Sequence, residues 1–474
     1  MNLLPLWKAL LEPPVRLEAD GIHIVDPTGT RDRMAELARR AALASPEEKA
    51  QAQYLIRLIA QAMGAIPASI YELYRARGQG QVPLTFTVPA LNLRALPFLA
   101  ARQVFRVMKE LNTAAVIFEI SRSEMGYTNQ RPGEYAAQIL AAAVAEGYQG
   151  PVFLQGDHFQ VSPRRFQEAP EEELRALQDL IREALAAGFF QIDIDASTLV
   201  DLDQPTVEAQ QRLNFTLTAQ LSAYVRAHEP DPVTVALGGE IGEVGAHNTT
   251  VEELRAFMQG YRQVLAQEAP SATGLSKISV QTGTAHGGVV LPDGTLAQVR
   301  VDFERLRELS RVAREEFGLA GAVQHGASTL PLDLFDKFPQ YEACEIHLAT
   351  QFMNIFFDRL PQDLRQEMYA YLDEHHREER KPDWTDAQFY YKLRKKALGP
   401  FKAALWDLPE EVKEEIAFAW THTFRLLFTR LGLRNTREMV DRFVPRPAVP
   451  PRLEDYLRGE KGAPGPSTDA TLAD

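Results

Sequence analysis

Three histidines stand directly after short apolar runs that are predicted to be β-strands. They are His158, His286 and His325, three of the 10 histidines in the chain. A neutral imidazole is the commonest protein ligand of transition metals, and three histidines with a fourth position left open are typical of a catalytic zinc site. One such histidine alone is more often a hydrogen-bonded loop residue, but three at strand ends together favour a metal centre holding one zinc ion per chain.

Two carboxylates accompany these histidines. Asp157 directly precedes His158, and Glu240 follows another apolar run. A carboxylate beside a metal ligand either supports that ligand by a hydrogen bond or acts as a general acid or base. The competing interpretations are structural: Asp157 as a helix N-cap or loop aspartate, and Glu240 as a buried strand-end carboxylate that caps a loop.

The elements that must position these side chains alternate along the middle of the chain. Buried runs that are apolar throughout, each followed by an amphipathic helix, indicate a parallel sheet covered on both faces. Eight such units predict a (β/α)8 barrel, an α/β fold whose active site lies at the carboxyl ends of the strands; an open doubly wound sheet is the alternative. The predicted strands are Leu84–Leu91, Ala114–Ile120, Val152–Gly156, Phe190–Ile194, Val233–Leu237, Ile278–Thr282, Ala322–Gln324 and Ala343–Leu348.

The segments before and after these eight units lack the alternation of strands and helices. Residues 1–80 are predicted to be an N-terminal helical cap, with a capping box at Ser45 to Glu48, and residues 81–358 to be the barrel. Residues 359–446 are predicted to be a helical extension, with helices at Asp363–Leu372, Asp386–Ala397 and Glu410–Arg430. The Pro- and Gly-rich residues 447–474 are predicted to be disordered.

Composition restricts the class of function. The net charge of -13 argues against a general nucleic-acid binder or a protein of anionic membranes, although backbone N–H groups and a metal still allow a small anionic substrate. Cys344 is the single cysteine, and no apolar stretch approaches the length of a membrane span. We therefore expect a cytoplasmic protein.

Small residues near the histidines suggest a phosphate site. Gly287 and Gly326 would let backbone N–H groups approach a ligand, and Ser328 adds a hydroxyl donor. Gly326, Ser328 and Thr350 fall after the seventh and eighth runs, where barrels of this class often bind phosphate. Ordinary turn chemistry is the alternative explanation.

Several of these segments, in this order and spacing, resemble motifs of the class II, zinc-dependent fructose- and tagatose-bisphosphate aldolases. The resemblance implies a barrel enzyme that cleaves a ketose phosphate reversibly to dihydroxyacetone phosphate and an aldehyde. It implies Asp157 as catalytic acid/base, His158, His286 and His325 as zinc ligands, and a monovalent cation beside the phosphate. The resembling segments are Asn92 at the end of the first run, Gly156-Asp157-His158, Ile194-Asp195-Ala196-Ser197, Gly239-Glu240-Ile241-Gly242, Gly283-Thr284-Ala285-His286-Gly287 and His325-Gly326-Ala327-Ser328.

The chain also departs from the family pattern. At the end of the eighth run only Thr350 remains of the family's Asn-x-Asp-Thr segment, and His347 stands nearby. The loop after Glu240 lacks the family's acidic pair and carries His247, followed by Thr250 and Glu253 in a predicted capping box. We predict substrate or proton-transfer roles for His347 and His247.

These departures leave three functions open. The leading interpretation is a zinc-dependent aldolase acting on a phosphorylated sugar, with Glu240 contributing to catalysis. The others are a metal-dependent lyase for a different phosphorylated sugar and a non-catalytic, aldolase-like partner subunit. A homodimer or homotetramer is expected on general grounds.

Overall fold

A closed barrel of eight parallel strands, β4 to β11, forms the centre of the computed structural model. The structure describes residues 4–18, 21–242, 247–283, 290–293 and 300–461. Each barrel strand pairs with its neighbour along the chain, and β11 pairs back with β4, where His347 lies opposite Ala90. The strands are β1 Val15–Glu18, β2 Gly21–Ile24, β3 Ala65–Pro67, β4 Val88–Asn92, β5 Ile117–Ser121, β6 Gly150–Gln160, β7 Gln191–Asp195, β8 Ala236–Glu240, β9 Lys277–Val280, β10 Ala322–Gln324 and β11 Glu345–Leu348.

Helices surround the barrel, and this arrangement confirms the predicted (β/α)8 fold with helical segments at both ends of the chain. All residues of the eight barrel strands are buried, as expected when side chains fill the barrel on one face and pack against helices on the other. The helices are α1 Leu4–Leu10, α2 Pro27–Leu43, α3 Pro46–Ala62, α4 Tyr71–Gly78, α5 Pro97–Glu110, α6 Arg122–Tyr127, α7 Pro132–Ala145, α8 Pro163–Glu168, α9 Pro170–Ala187, α10 Val207–His228, α11 Val251–Glu268, α12 Phe303–Glu315, α13 Lys337–Gln340, α14 Thr350–Arg359, α15 Gln362–His375, α16 Asp386–Leu393, α17 Lys402–Trp406, α18 Glu410–Arg430, α19 Arg437–Phe443 and α20 Leu453–Lys461.

The segment before the barrel contains strands as well as helices. β1 and β2 form an antiparallel hairpin, and β3 pairs in parallel with the first residues of β6 outside the barrel. Helix α3 begins at Pro46 as predicted, but the capping box is wrong, because the Ser45 side chain makes no capping hydrogen bond. Glu48, which would complete the box, instead accepts a hydrogen bond from Arg40 at 2.6 Å. The capping box of Thr250 and Glu253 is formed.

The C-terminal extension forms the three predicted helices. α15 and α18 extend over the expected ranges, while the helix predicted at Asp386–Ala397 is divided into α16 and a 3-10 turn over Arg394–Ala397. α18 packs on α5, a helix of the barrel wall. Among the described residues, no helix is both long and apolar enough to cross a membrane.

Helix α20 lies inside the segment predicted to be disordered. It packs on α3, where Tyr456 is buried and meets the Tyr54 ring edge-on at 6.3 Å between centroids. Gln53 also donates a hydrogen bond to Glu460 at 2.9 Å. The flanking prolines and glycines dominate the composition of this segment. The prediction of disorder therefore missed the nine residues of α20, which pack on the rest of the protein.

We predict that Tyr456→Ala lowers the free energy of unfolding by roughly 3 kcal/mol, because truncating a buried aromatic side chain leaves a cavity. Denaturant unfolding of the full-length protein measures the change. Phe418→Ala is the control, since Phe418 is 77% exposed and its loss should be nearly neutral. Equal unfolding curves for the two variants would contradict the packing of α20.

Candidate metal centre and active site

An irregularity in β6 brings Asp157 and His158 to the same side of the barrel wall. Adjacent residues of a regular strand point to opposite faces, so a regular β6 would direct only one of them inward. The pairing of β6 with β7 shifts register between Gly156 and Phe159, and His158 has a φ of 38°, in the left-handed region. A Cβ at position 156 would collide with the Phe159 ring, which explains the glycine. A β-bulge thus presents two consecutive functional groups together.

His158 and His325 converge at the carboxyl ends of β6 and β10. Nε2 of His158 lies 3.0 Å from Nδ1 of His325. Nδ1 of His158 lies 3.0 Å from Oδ2 of Asp195, so Asp195 fixes the ring and directs Nε2 towards His325. Glu240, at the end of β8, places Oε1 3.4 Å from Nε2 of His325. Two of the three predicted strand-end histidines therefore lie together, with the Glu240 carboxylate beside them.

These residues fit a metal ion. One ligand atom from each of Asp157, His158, Glu240 and His325 can be chosen so that all four lie within 4.8 Å of one another, and all four residues are buried. Oε1 of Glu240 is buried and accepts no hydrogen bond from the described residues. Nitrogen and carboxylate oxygen donors are the set that zinc accepts in catalytic sites. His158, His325 and Glu240 would hold the ion, and Asp157 lies beside these three residues.

Two predicted site residues lie outside the described residues. These are His286, the third predicted zinc ligand, and Gly287, a predicted phosphate contact. Gly283, at the start of the same loop, is described and has a φ of 95°, which favours glycine.

His347 lies beside the metal site and contacts the predicted catalytic aspartate. Its Nδ1 is 3.1 Å from Oδ1 of Asp157 and 3.0 Å from Oε2 of Glu119, and its Nε2 is 2.6 Å from Glu345. Burial opposes protonation, but these carboxylates outweigh it and raise the pKa of His347 well above its usual value. These contacts favour the protonated, imidazolium form of His347.

The electrostatics around Asp157 keep it ionised. Burial alone would raise its pKa, but His158 and His347 outweigh burial and hold that pKa below the usual range. Glu240 behaves in the opposite way, because burial raises its pKa to about 8. Two carboxylates of one site thus differ in their affinity for a proton, which is common where side chains have different chemical roles.

A lysine lies deeper in the barrel, below these groups. Lys277 donates hydrogen bonds to Gln155 at 2.7 Å and to Asp193 at 2.9 Å, and it forms an ion pair with Glu345. Asp193 and Glu345 outweigh burial and raise the pKa of Lys277, so the side chain stays charged. Because a protonated amine is not a nucleophile, Lys277 is a structural cation in this arrangement.

A cavity of about 270 Å³ opens beside the histidines. Four residues predicted to contact substrate line it together with His347: Asn92, Gly326, Ser328 and Thr350. Ser328 Oγ accepts a hydrogen bond from the backbone N–H of Ala349 at 2.9 Å, which ties the loop after β10 to the end of β11. The structure thus brings these predicted residues to one cavity, while their contacts with a substrate stay a prediction.

His247 is placed differently from His347. Its Nε2 lies 3.3 Å from Glu253 at the start of α11, and its side chain is 48% exposed. It is not among the described residues that line the cavity. We predicted similar roles for both histidines, but His347 lies in the cavity whereas His247 lies at the protein surface.

Sequence reasoning gave no role to several charged residues that contact the site, although Asp195 stands in one of the family-like segments. Asp195, Glu119 and Lys277 are all buried in barrel strands. Glu119 and Lys277 are single charged residues in otherwise apolar stretches, and Asp195 alternates with apolar residues after Asp193; a charged residue in a buried strand marks a group that needs a partner inside the barrel. Lys392 and Lys395, which line the cavity from the C-terminal extension, carried no such signal.

We predict that Asp195→Asn weakens zinc binding about 10–100-fold, because the carboxylate no longer orients the His158 ring. Competition with a chromophoric chelator measures the affinity. Asp201→Asn is the matched control, since Asp201 lies in the loop after the same strand and its side chain accepts hydrogen bonds from Asp203 and Gln204, away from the histidines. Equal affinities for both variants would show that Asp195 does not support a metal ligand.

Solved structures of several other proteins are similar to this chain. A probable tagatose 6 phosphate kinase of Sinorhizobium meliloti 1021 is similar at 16% identity, covering 79% of this chain and 97% of its own, with a TM-score of 0.50, and this likeness supports the fold. Fructose-bisphosphate aldolase of Campylobacter jejuni is 18% identical over 77% of this chain and 93% of its own, with a TM-score of 0.45. The YdjI aldolase of Escherichia coli K12 is 13% identical over 77% and 98%, also at 0.45.

The sequence model of class-II fructose-bisphosphate aldolases matches residues 84–405. The matched region begins just before β4 and contains the whole barrel and the described site. It also contains α16, which reaches the cavity from the extension. This protein belongs to the class-II fructose-bisphosphate aldolase family.

Proposed function

We propose that the protein is a zinc-dependent aldolase that reversibly cleaves a phosphorylated ketose, such as fructose 1,6-bisphosphate, to dihydroxyacetone phosphate and an aldehyde. The observation that carries the proposal is the convergence of Asp157, His158, Glu240 and His325 at the barrel mouth. A cavity large enough for a small sugar phosphate adjoins them. Family membership favours this lyase chemistry over a purely structural role.

Zinc, when bound, acts as a Lewis acid and stabilises the negative charge that develops on the substrate oxygens during cleavage. The protein supplies the proton transfer. Asp157 is ionised and lines the cavity, so it can accept the proton of the C4 hydroxyl whose loss starts the cleavage. The C4 oxygen then forms the aldehyde carbonyl as the C3–C4 bond breaks, and the electron pair left on C3 takes up a proton to give dihydroxyacetone phosphate. In the synthetic direction these changes reverse, and the Asp157 carboxyl returns its proton to the C4 oxygen.

The His347 imidazolium complements Asp157. It donates towards Asp157 and Glu119, which keeps the carboxylate oriented and its charge stabilised. A protonated histidine lining the cavity also favours an anionic substrate. These roles follow from the contacts of His347 with Asp157 and Glu119.

We predict that purified protein cleaves fructose 1,6-bisphosphate and loses that activity with a chelator. Asp157→Asn should lower kcat about 10²–10⁴-fold, because the general base is removed, while bound zinc is unchanged. A coupled assay for the triose phosphate product, with metal analysis of each sample, measures both quantities. Full activity of Asp157→Asn, or activity that survives complete zinc removal, would overturn the proposed chemistry.

We predict that His347→Ala reduces turnover while leaving the zinc content unchanged, because Asp157 loses its cationic neighbour. His247→Ala is the matched control and should retain activity, since its side chain pairs with Glu253 at the surface. The same coupled assay compares the two. If His247→Ala lost activity and His347→Ala kept it, His247 rather than His347 would be the histidine that acts at the site.

A further inference from the structure

The C-terminal extension reaches the substrate cavity through a rigidly held turn. Arg394 is 6% exposed, and its guanidinium lies 4.2 Å from the ring centroid of Tyr391 and 4.7 Å from that of Phe357. It also hydrogen bonds Asn354 of α14, the helix that follows β11. Arg394 therefore fixes the end of α16 against the barrel.

A second set of contacts ties α16 to the loop after β9. Gln388 donates a hydrogen bond to the carbonyl oxygen of Val290 at 2.8 Å, and Thr385 donates one to that of Pro292 at 2.8 Å. The helix is thus held from two sides of the barrel mouth. The side chains of α16 that face the cavity are therefore held in a fixed position.

Two lysines flank this anchor and line the cavity. Lys392 and Lys395 lie on its wall with Tyr391, and the Nζ of Lys395 also lies 5.6 Å from the ring centroid of Tyr127. Lys396 of the same turn forms an ion pair with Glu379 at 2.5 Å and is not among the lining residues. Burial and then the nearby Arg94 lower the pKa of Lys395 well below its usual value, and burial also lowers the pKa of Lys392. Two lysine side chains therefore line a space that can hold a ligand, and an anion bound there would favour their charged, ammonium forms.

The neighbouring charges of the cavity are engaged with one another. Arg94, also on the cavity wall, forms an ion pair with the buried Glu124 at 2.5 Å, and the Glu124 carboxylate also acts to raise the pKa of Lys395, against the effect of burial. Glu119 and Asp157, the carboxylates that line the cavity, both contact His347. Burying cations close together costs free energy, and an anion bound between them offsets that cost.

We propose that Lys392 and Lys395, with Arg94, form an oxyanion subsite through which the C-terminal extension selects the charged end group of the substrate. The ligand class is a small phosphate or carboxylate, because the cavity of about 270 Å³ admits a sugar derivative and no macromolecule. This inference rests on the proposed function only in taking the cavity as the substrate site.

Calorimetric titration of the full-length, metal-loaded protein tests the subsite without turnover. The probes are inorganic phosphate and, separately, acetate, each at constant ionic strength. Lys392→Met and Lys395→Met remove the charges, Lys395→Arg retains one, and Lys396→Met is the matched control from the same turn. Circular dichroism melting of each variant verifies that the fold is kept.

We expect Lys392→Met and Lys395→Met each to weaken binding of one probe about tenfold or more, while Lys395→Arg and Lys396→Met change it little. Weaker phosphate binding supports a subsite for phosphorylated sugars, and weaker acetate binding supports one for sugar acids. Unchanged affinity for both probes in folded Lys392→Met and Lys395→Met would overturn the proposal. An inactive protein that still shows the lysine-dependent binding would refute the aldolase function and leave the subsite standing.

Discussion

The structure depends on compensating the negative charge of the carboxylates that are buried inside the barrel. Six carboxylates are buried in its strands and connected through their contacts: Glu119, Asp157, Asp193, Asp195, Glu240 and Glu345. A buried carboxylate is tolerated only when it is paired, hydrogen-bonded, bound to a metal or protonated. In the lower part of the barrel, Lys277 forms ion pairs with Asp193 and Glu345 and so compensates their charge. The upper part contains histidines, and a divalent cation among them would neutralise the remaining charge.

This charge arrangement explains why the backbone is irregular where the chemistry is expected. Asp157 must reach His347 while His158 must reach His325, and a regular strand cannot direct two consecutive side chains to one site. The bulge in β6 resolves that conflict, at the cost of a left-handed backbone at His158. Asp195 then holds the His158 ring from the next strand. The position of the histidine pair thus depends on two neighbouring strands rather than on one loop.

Much of the fold could be predicted because its signals are local. Eight apolar runs separated by amphipathic helices identify the barrel, and Asp157, His158, Glu240 and His325 stand out because they terminate such runs. The inner charges were harder to recognise, since the partners of Lys277, which are Asp193 and Glu345, lie far from it in sequence. The contribution of α16 to the cavity could not be predicted, because it depends on packing between elements far apart in the chain. For the same reason the composition of the last segment did not reveal α20.

The most direct test of the central claim is X-ray absorption spectroscopy at the zinc edge on full-length, zinc-loaded protein, with the metal content of the same sample. The account predicts about one zinc per chain, with imidazole scattering and nitrogen and oxygen ligands at ~2.0–2.2 Å. His325→Ala should weaken the imidazole signal. A protein that takes up no stoichiometric zinc, or holds it through water oxygens alone with no imidazole contribution, would contradict the account.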